Sequence, residues 1–166
     1  MTGIITPSHT CGPLFGFAIL QQGLNRSAEA SDPDAIFLSG ELRDSKGHLG
    51  YEAFLEIFAA GQAVRVRTHA GRYEAILRRP AAETLGDGQI QAPHFTVLVH
   101  GRGIVRHLTT RAYLPDAPEA FAADPVVGLV PEDMRPRLLM RKACDDRHFE
   151  FDICLRGDDE SVFFDL

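Results

Sequence analysis

The most restrictive feature of this sequence is an alternation of apolar and polar residues with a period of two. That period places successive side chains on opposite faces of a strand, so each segment presents one apolar face. Short stretches rich in Gly, Pro, Asp and Ser separate the segments, and this pattern predicts an all-β chain. The alternating segments are residues 35–42, 53–58, 63–68, 73–77, 95–99, 108–113 and 149–155.

The number of strands and the short turns predict a β-sandwich with short helical segments in its connections. Asp44–Gly47 predicts a turn that joins the first two strands as a hairpin. Phe149–Leu155 alternates over seven residues and is the strongest single strand prediction, for one continuous strand. Pro131–Met134 predicts the start of a helix, because proline suits the first helical position, and Pro136 keeps that helix short.

A length of 166 residues and an apolar content of 45% suffice for one hydrophobic core. We expect residues 35–166 to form the sandwich and residues 1–34 to form an N-terminal arm and linker that packs on a partner. The net charge of −6 argues against nucleic acid, whose binding depends on basic side chains that neutralise phosphates.

Several further properties bear on the location of the protein. No stretch reaches the roughly 20 apolar residues that span a bilayer, and the first residues lack the basic region of a secretory signal. Cys11, Cys144 and Cys154 lack the spacing of a zinc site, and we expect them to be reduced thiols in or near the core. These features favour a cytoplasmic protein without a membrane partner.

The histidines offer no complete metal site by pattern. His94 begins a strand, and its neighbour on the same face is Thr96, so the strand lacks the second imidazole of a His-x-His pair. We therefore expect His94 to have a structural role. His100 and His107 flank a glycine turn at a spacing without metal-site meaning, and we expect them at the surface or in an interface.

Three arginines stand close together in a chain that is acidic overall: Arg102, Arg106 and Arg111. Gly101-Arg102-Gly103 joins two predicted strands and lacks the helix N-terminus that phosphate-binding loops use. The arginines suit an anionic ligand or an acidic partner, and they equally suit a solvated surface. The pattern leaves both interpretations open.

Most of the chain nevertheless resembles one enzyme family segment by segment. The resemblance is to the α subunits of protocatechuate 3,4-dioxygenases, which are intradiol ring-cleavage enzymes. It weakens between Phe58 and Tyr73, where the family carries a longer excursion. The matching segments are residues 6–13, 54–58, 91–97, 101–108, 110–116, 124–131 and 160–166.

The resemblance implies an enzyme of αβ pairs in a higher oligomer, in which both subunit types share the sandwich fold. It implies that Fe(III) is bound only by the β-type partner, through two tyrosines and a His-x-His strand. Tyr51, Tyr73 and Tyr113 do not match the family's tyrosine-ligand positions. No metal ligand and no catalytic residue is therefore expected in this chain, which alone should be inactive.

The resemblance also implies residues that line the pocket of the partner. These are Thr10, Gly12, Pro13 and Leu14 on the arm and Arg102 on the turn. A guanidinium at Arg102 would offset the negative charge of a carboxylated catechol. Leu14 departs from the family, which often has tyrosine there, and so removes a hydrogen-bond donor from the pocket.

The implied reaction cleaves protocatechuate with O2 to 3-carboxy-cis,cis-muconate. The bond that breaks lies between the two hydroxyl-bearing carbons. Because Leu14 and the shortened region alter the family pattern, another anionic catechol such as 4-sulfocatechol is an alternative substrate. A β-sandwich binding module without enzymatic activity is the alternative from another class.

Overall fold

The alternating segments form the strands of two sheets that pack face to face, which confirms the predicted all-β sandwich. The structure, a computed structural model, describes residues 9–12, 14–44, 46, 48–49 and 52–165. The strands are β1 (Ala35–Arg43), β2 (Ala53–Ala59), β3 (Gln62–Arg67), β4 (Arg72–Arg78), β5 (Glu83–Thr84), β6 (Ile90–Gln91), β7 (His94–Gly101), β8 (Leu108–Tyr113), β9 (Arg141–Lys142), β10 (His148–Glu150) and β11 (Ile153–Cys154).

The helical segments lie in the connections, as predicted. They are α1 (Phe15–Ile19), α2 (Pro118–Ala123) and two 3-10 turns at Val127–Leu129 and Arg135–Leu138. The predicted helix start at Pro131–Met134 is wrong by about one turn, since those residues form a turn and the 3-10 segment follows them. Pro136 lies inside that segment, where its ring and missing N–H favour a short helix.

The first sheet is built around β1. Strand β4 pairs antiparallel with one edge of β1, while β10 and β11 pair in parallel with its other edge, and β9 pairs with β10. The second sheet has the order β3-β2-β7-β8 and is antiparallel throughout. A small third sheet pairs β5 with β6.

The main core lies between the two large sheets. Apolar side chains from alternate positions of both sheets are less than one-tenth exposed and form one continuous cluster, as the period of two requires. Its largest members include Leu38, Leu42, Leu55, Ile57, Phe95, Phe149 and Phe151. The opposite face of the second sheet remains available for polar side chains.

The predicted hairpin between β1 and β2 is wrong. Asp44 does make a turn, because its Oδ1 accepts the backbone N–H groups of Lys46 and His48. The turn instead leads the chain from the first sheet to the second, where β2 pairs with β3 and β7. The apolar faces of β1 and β2 thus meet across the core rather than side by side.

The predicted continuous strand Phe149–Leu155 is interrupted at Phe151 and Asp152. The carbonyl of Phe151 accepts a hydrogen bond from the hydroxyl of Tyr73, and Asp152 Oδ1 accepts one from the backbone N–H of Glu41. These groups replace regular ladder bonds and divide the segment into β10 and β11. The alternation of faces survives, since Phe149, Phe151 and Ile153 are all buried.

The open edges of the second sheet are covered by chain segments rather than left exposed. At β3, the carbonyl of Leu24 accepts the N–H of Arg65 at 2.9 Å. Asn25 and Ser27 continue this segment onto β4 through hydrogen bonds with Ile76. At β8, the carbonyl of Thr109 accepts the N–H of Phe164 at 2.8 Å.

A buried carboxylate organises the connection after β8. Asp124 is 1% exposed and accepts the N–H groups of Ala92, Val126 and Val127 at 2.8, 2.8 and 3.2 Å. The hydroxyl of Tyr113 also donates to it, at 3.2 Å. A buried charge is tolerated only with such a full set of hydrogen bonds. Among the described helices, none is long and apolar enough to cross a membrane.

Gly40 is the position in β1 that tolerates no side chain. A Cβ built there would overlap the carbonyl oxygen of Phe151 and lie 2.8 Å from the hydroxyl of Tyr73. The first sheet therefore requires a residue without a side chain at position 40, where β1 lies against Phe151 and Tyr73.

We predict that Gly40→Ala lowers the free energy of unfolding by about 3 kcal/mol, because backbone atoms cannot move aside as a flexible side chain does. Chemical denaturation followed by circular dichroism measures the change. Gly86→Ala is the matched control, since a Cβ at Gly86 meets no atom within 4 Å. Equal stability of both variants would contradict the close approach at Gly40.

Candidate functional site

The turn between β7 and β8 carries Arg102 at one end of the second sheet. Val99 and Leu108 form the last residue pair between these strands. The chain then turns through Gly103, whose φ of +85° lies in the left-handed region that favours glycine. The N–H of Ile104 donates to the carbonyl of Gly101 at 3.2 Å. Arg102 is exposed at the tip of this turn.

Thr10, from the N-terminal arm, reaches this turn. Its hydroxyl donates to the carbonyl of Gly101 at 3.1 Å and accepts the N–H of Gly103 at 2.8 Å. These two backbone groups flank Arg102 on either side. The structure therefore brings together two residues that are 92 positions apart in the sequence and that the resemblance assigned to one pocket.

The other expected pocket residues follow Thr10 along the arm. Gly12 is exposed, and its carbonyl accepts the N–H of Phe15 at 3.4 Å at the entry to α1. Leu14 is 67% exposed, which is unusual for a large apolar side chain in this protein. Pro13 lies outside the described residues.

The arm packs on the outer face of the second sheet through aromatic rings. Phe15 of α1 lies 5.6 Å from the ring of Phe54, and Phe54 stacks on His100 at 4.5 Å and an interplanar angle of 3°. His107, across the turn, lies 5.5 Å from His100. A line of rings therefore runs from the arm to the base of the turn that carries Arg102.

An ion-pair network lies beside these rings. The guanidinium of Arg65 donates from Nε to Glu56 Oε1 at 3.0 Å and from Nη1 to the carbonyl of Ile19 at 3.2 Å. His100 Nε2 lies 3.2 Å from Glu56 Oε2. Arg65 thus ties the end of α1 to the same carboxylate that contacts His100.

Glu56 and Arg65 are part of this region, although their sequence positions alone do not indicate it. They occupy outward positions of β2 and β3, and the alternation alone shows only that they point away from the core. Their meeting depends on the register Glu56↔Arg65. His100, expected at the surface or in an interface, has a side chain that is only 22% exposed.

The network determines the protonation of its members. Burial alone would raise the pKa of Glu56, but the hydrogen bond and charge of Arg65, assisted by His100, hold that pKa below its usual value. Burial lowers the pKa of His100, although Glu56 opposes the shift, and His107 lowers it further. Near neutral pH, Glu56 is therefore ionised and His100 is mostly neutral.

The arginines of the sequence cluster do not share one location. Arg106 lies in the turn and forms an ion pair with Asp165 at 2.9 Å. Arg111 lies further along β8, where its Nη1 donates to the hydroxyl of Tyr113 at 3.2 Å. The amide oxygen of Gln91, in the orientation that satisfies both side chains, accepts from Arg111 at 3.1 and 3.3 Å. The side chain of Arg111 is therefore held on the outer face of the second sheet by Tyr113 and Gln91.

His94 lies on the same outer face, at the other end of β7, and is 7% exposed. Its Nδ1 donates to the carbonyl of Ala92 at 2.8 Å, and its ring stacks on Tyr113 at 5.0 Å. Burial lowers the pKa of His94, and the charge of Arg111 adds to the effect. A hydrogen-bonded, neutral imidazole packed on a tyrosine fits the structural role expected for His94.

The donors around His94 do not fit the ferric iron of intradiol enzymes. Fe(III) is a hard ion that prefers phenolate and carboxylate oxygens. The hydroxyl of Tyr113 already donates to the buried Asp124 at 3.2 Å, and burial raises its pKa to about 12. Tyr73 lies in the other sheet, where burial raises its pKa and its hydroxyl donates to the carbonyl of Phe151. Thr96 stands where a second imidazole would be required, and Tyr51 lies outside the described residues.

A second group of possible ligands lies in the turn between β9 and β10. Donor atoms of Cys144, Asp145 and His148 lie within 4.8 Å of one another. Asp145 Oδ1 already accepts the N–H groups of Arg147 and His148 and contacts the ring Nδ1 of His148. The hydrogen bonds of a turn therefore explain why these side chains lie together.

The three cysteines form no disulfide. Cys144 is exposed, so the expectation that it lies in or near the core is wrong.

Comparison with known proteins places these features in a family. No family model matches the sequence. The protocatechuate 3,4-dioxygenase alpha chain of Burkholderia cepacia is 31% identical over 191 aligned residues, covering 97% of both chains. That of Pseudomonas putida is 31% identical over 193 residues, covering 97% of this chain and 96% of the relative. Since both alignments exceed the 166 residues of this chain, the relatives contain residues that this chain lacks.

Solved structures show the same fold. Hydroxyquinol 1,2-dioxygenase from Pseudomonas putida DLL-E4 has a TM-score of 0.60 at 15% identity, covering 93% of this chain and 67% of that chain. The dioxygenase domain of a carbohydrate-binding fusion from Streptomyces sp. SirexAA-E has a TM-score of 0.57 at 19% identity. The match covers 80% of this chain and 86% of that chain. The identity to the alpha chains over nearly the whole length shows that this chain belongs to the protocatechuate 3,4-dioxygenase alpha chain family and is an enzyme subunit with the intradiol dioxygenase fold.

Proposed function

We propose that this chain is the iron-free α-type subunit of a heteromeric ferric intradiol dioxygenase and completes the active-site pocket of a β-type partner. The observation that carries the proposal is the contact between Thr10 and the turn of Arg102. It unites the arm and the turn at one end of the sandwich, as a shared pocket wall requires. The three unpaired cysteines are in keeping with a cytoplasmic enzyme.

The iron is assigned to the partner because the donors described here do not suit it. Tyr73 and Tyr113 are committed to hydrogen bonds inside this chain, and burial raises the pKa of each. Each hydroxyl would have to give up its partner inside the chain to ligate a cation, and Thr96 occupies the strand position where a second imidazole would be needed. The role of this chain is then to bind and orient the substrate and to exclude water from the pocket.

The proposed substrate is protocatechuate, cleaved by O2 between its hydroxyl-bearing carbons to 3-carboxy-cis,cis-muconate. Both oxygen atoms enter the product. In this proposal the guanidinium of Arg102 donates hydrogen bonds to the carboxylate of the substrate, since its planar fork matches carboxylate oxygens. A cation at this turn also attracts anionic substrates to a chain whose net charge is −6.

The exposed apolar residues near the pocket favour contact with the partner. Leu14 on the arm and Val105 in the turn are 67% and 54% exposed. Apolar side chains at such a site gain free energy when a partner buries them. We accordingly propose that residues 1–34, the arm and linker, pack on the β-type subunit, while residues 35–166 form the sandwich.

We predict that co-expression with a β-type subunit that carries the His-x-His strand and two tyrosine ligands yields a stable complex. The complex should contain ferric iron and cleave protocatechuate, while the chain purified alone should be inactive. Metal analysis and oxygen uptake measure both properties. Stoichiometric iron in the chain alone would contradict the assignment of the metal to the partner.

We predict that Arg102→Ala in the complex raises KM for protocatechuate about tenfold or more, because a hydrogen bond to a charged group contributes roughly 1.5–3 kcal/mol. Arg106→Ala is the matched control. It removes the same charge from the same turn, but the arginine that it replaces forms an ion pair with Asp165. Steady-state kinetics should show a much smaller change for that control. Equal increases in KM for the two variants would indicate that both arginines attract the substrate through their positive charge at a distance, and that Arg102 does not bind it directly.

We propose that the exposed Leu14 contributes to the choice between protocatechuate and another anionic catechol such as 4-sulfocatechol. We predict that Leu14→Tyr, which adds a hydroxyl donor, changes the ratio of kcat/KM for these two substrates severalfold, as single polar contacts do. Leu14→Phe adds the ring without the hydroxyl and serves as the control. An unchanged ratio in both variants would remove Leu14 from the pocket.

A further inference from the structure

The hydroxyl of Thr10 faces the backbone of the turn and is used in both of its hydrogen-bonding capacities. It donates its proton to the carbonyl of Gly101 and accepts the N–H of Gly103, at 3.1 and 2.8 Å. A hydroxyl has a single proton to donate. Thr10 therefore has no proton left for a substrate unless its bond to Gly101 breaks.

What remains on the hydroxyl is one lone pair, which repels rather than binds an anionic group. A direct contact between Thr10 and the carboxylate of a catechol would thus be unfavourable while the two bonds to the turn persist. Thr10 differs in this respect from Arg102, whose N–H donors suit that carboxylate. Thr10 needs a different role if it serves the same pocket.

We propose that Thr10 is a positioning residue that holds the backbone on both sides of Arg102 and so fixes the point from which its guanidinium reaches the substrate. The inference rests on the function proposed above, because it assigns Arg102 to the anionic group of the catechol. Thr10 acts on binding through Arg102 and does not touch the substrate.

The turn requires such a restraint because the pairing of β7 with β8 ends at Val99 and Leu108. His100 and Gly101 still pair with β2, but the six residues 102–107 lie between the two strands, and turns of this length are mobile unless they are anchored. Inside the turn, Ile104 donates to Gly101, and the left-handed Gly103 reverses the chain. Thr10 adds a link at the same two glycines from a distant part of the chain.

The arm itself is firmly held, so it can act as an anchor. Phe15 packs on Phe54, and Arg65 donates to the carbonyl of Ile19 at 3.2 Å. Phe54 in turn stacks on His100, which directly precedes Gly101. The arm therefore contacts the sheet on one side of the turn and the turn backbone on the other.

The test uses the co-purified αβ complex and the variants Thr10→Val, Thr10→Ser and Arg102→Ala. Valine keeps the shape of threonine but lacks the hydroxyl, while serine keeps the hydroxyl. Thr10→Val should raise KM for protocatechuate about fivefold to tenfold with little change in kcat, as expected for lost hydrogen bonds that orient a binding group. Thr10→Ser should stay close to the unmodified complex.

The decisive measurement is the double variant. If Thr10 acts through Arg102, Thr10→Val has no further effect on KM once Arg102 is alanine, because the group that it positions is gone. Independent effects that multiply in the double variant would overturn the proposal and indicate a direct contact with substrate. An unchanged KM for Thr10→Val would overturn it as well.

Amide hydrogen exchange separates this inference from the proposed function. The N–H of Gly103 donates to Thr10, so its exchange in the complex should accelerate about fivefold or more in Thr10→Val and remain slow in Thr10→Ser. Faster exchange together with an Arg102→Ala variant of unchanged kinetics would reject Arg102 as the substrate contact while the restraint itself stands. Unchanged exchange in Thr10→Val would reject the restraint whatever the kinetics.

Discussion

The structure depends above all on the strict alternation of side chains across the sheet β3-β2-β7-β8. Burial of Leu55, Val66 and Phe95 against the opposite sheet fixes which face of each strand points inward. A shift of one residue would expose this entire set, so the outward residues are fixed as well. The outer face must then carry Phe54 and Arg65, and these are the side chains on which the arm packs.

Arginine suits its position in this arrangement for a geometric reason. Arg65 uses Nε and Nη2 toward Glu56 and Nη1 toward the carbonyl of Ile19, while its Cζ lies 5.8 Å from the ring centroid of Phe54. A lysine ammonium is a point charge without a planar fork and would not satisfy these directions together. The end of α1 is thereby attached to the sheet that also supports the Arg102 turn.

The two tyrosines that the structure describes use their phenols for hydrogen bonds inside the chain. Tyr73 lies in the core and donates to the carbonyl of Phe151, at the point where Gly40 leaves no space for a side chain. Tyr113 donates to the buried Asp124. Both hydroxyls serve hydrogen bonds within the chain, and burial favours their protonated form. Their chemistry is structural, while the proposed pocket lies beside Arg102, at the end of β7 and β8 opposite Tyr113.

The sequence by itself determined the long strands, the sandwich class and the inward face of each alternating segment, because a period of two is a local property. The short strands β5, β6 and β9 lie outside the alternating segments. The resemblance also assigned Thr10 and Arg102 to one proposed pocket. Only the tertiary structure decided that β1 pairs with β4 rather than β2, and that the last strand breaks at Phe151. It alone showed that the Thr10 hydroxyl binds the turn. These features depend on which distant backbone groups meet, and the local pattern specifies the face of a strand without specifying its partner.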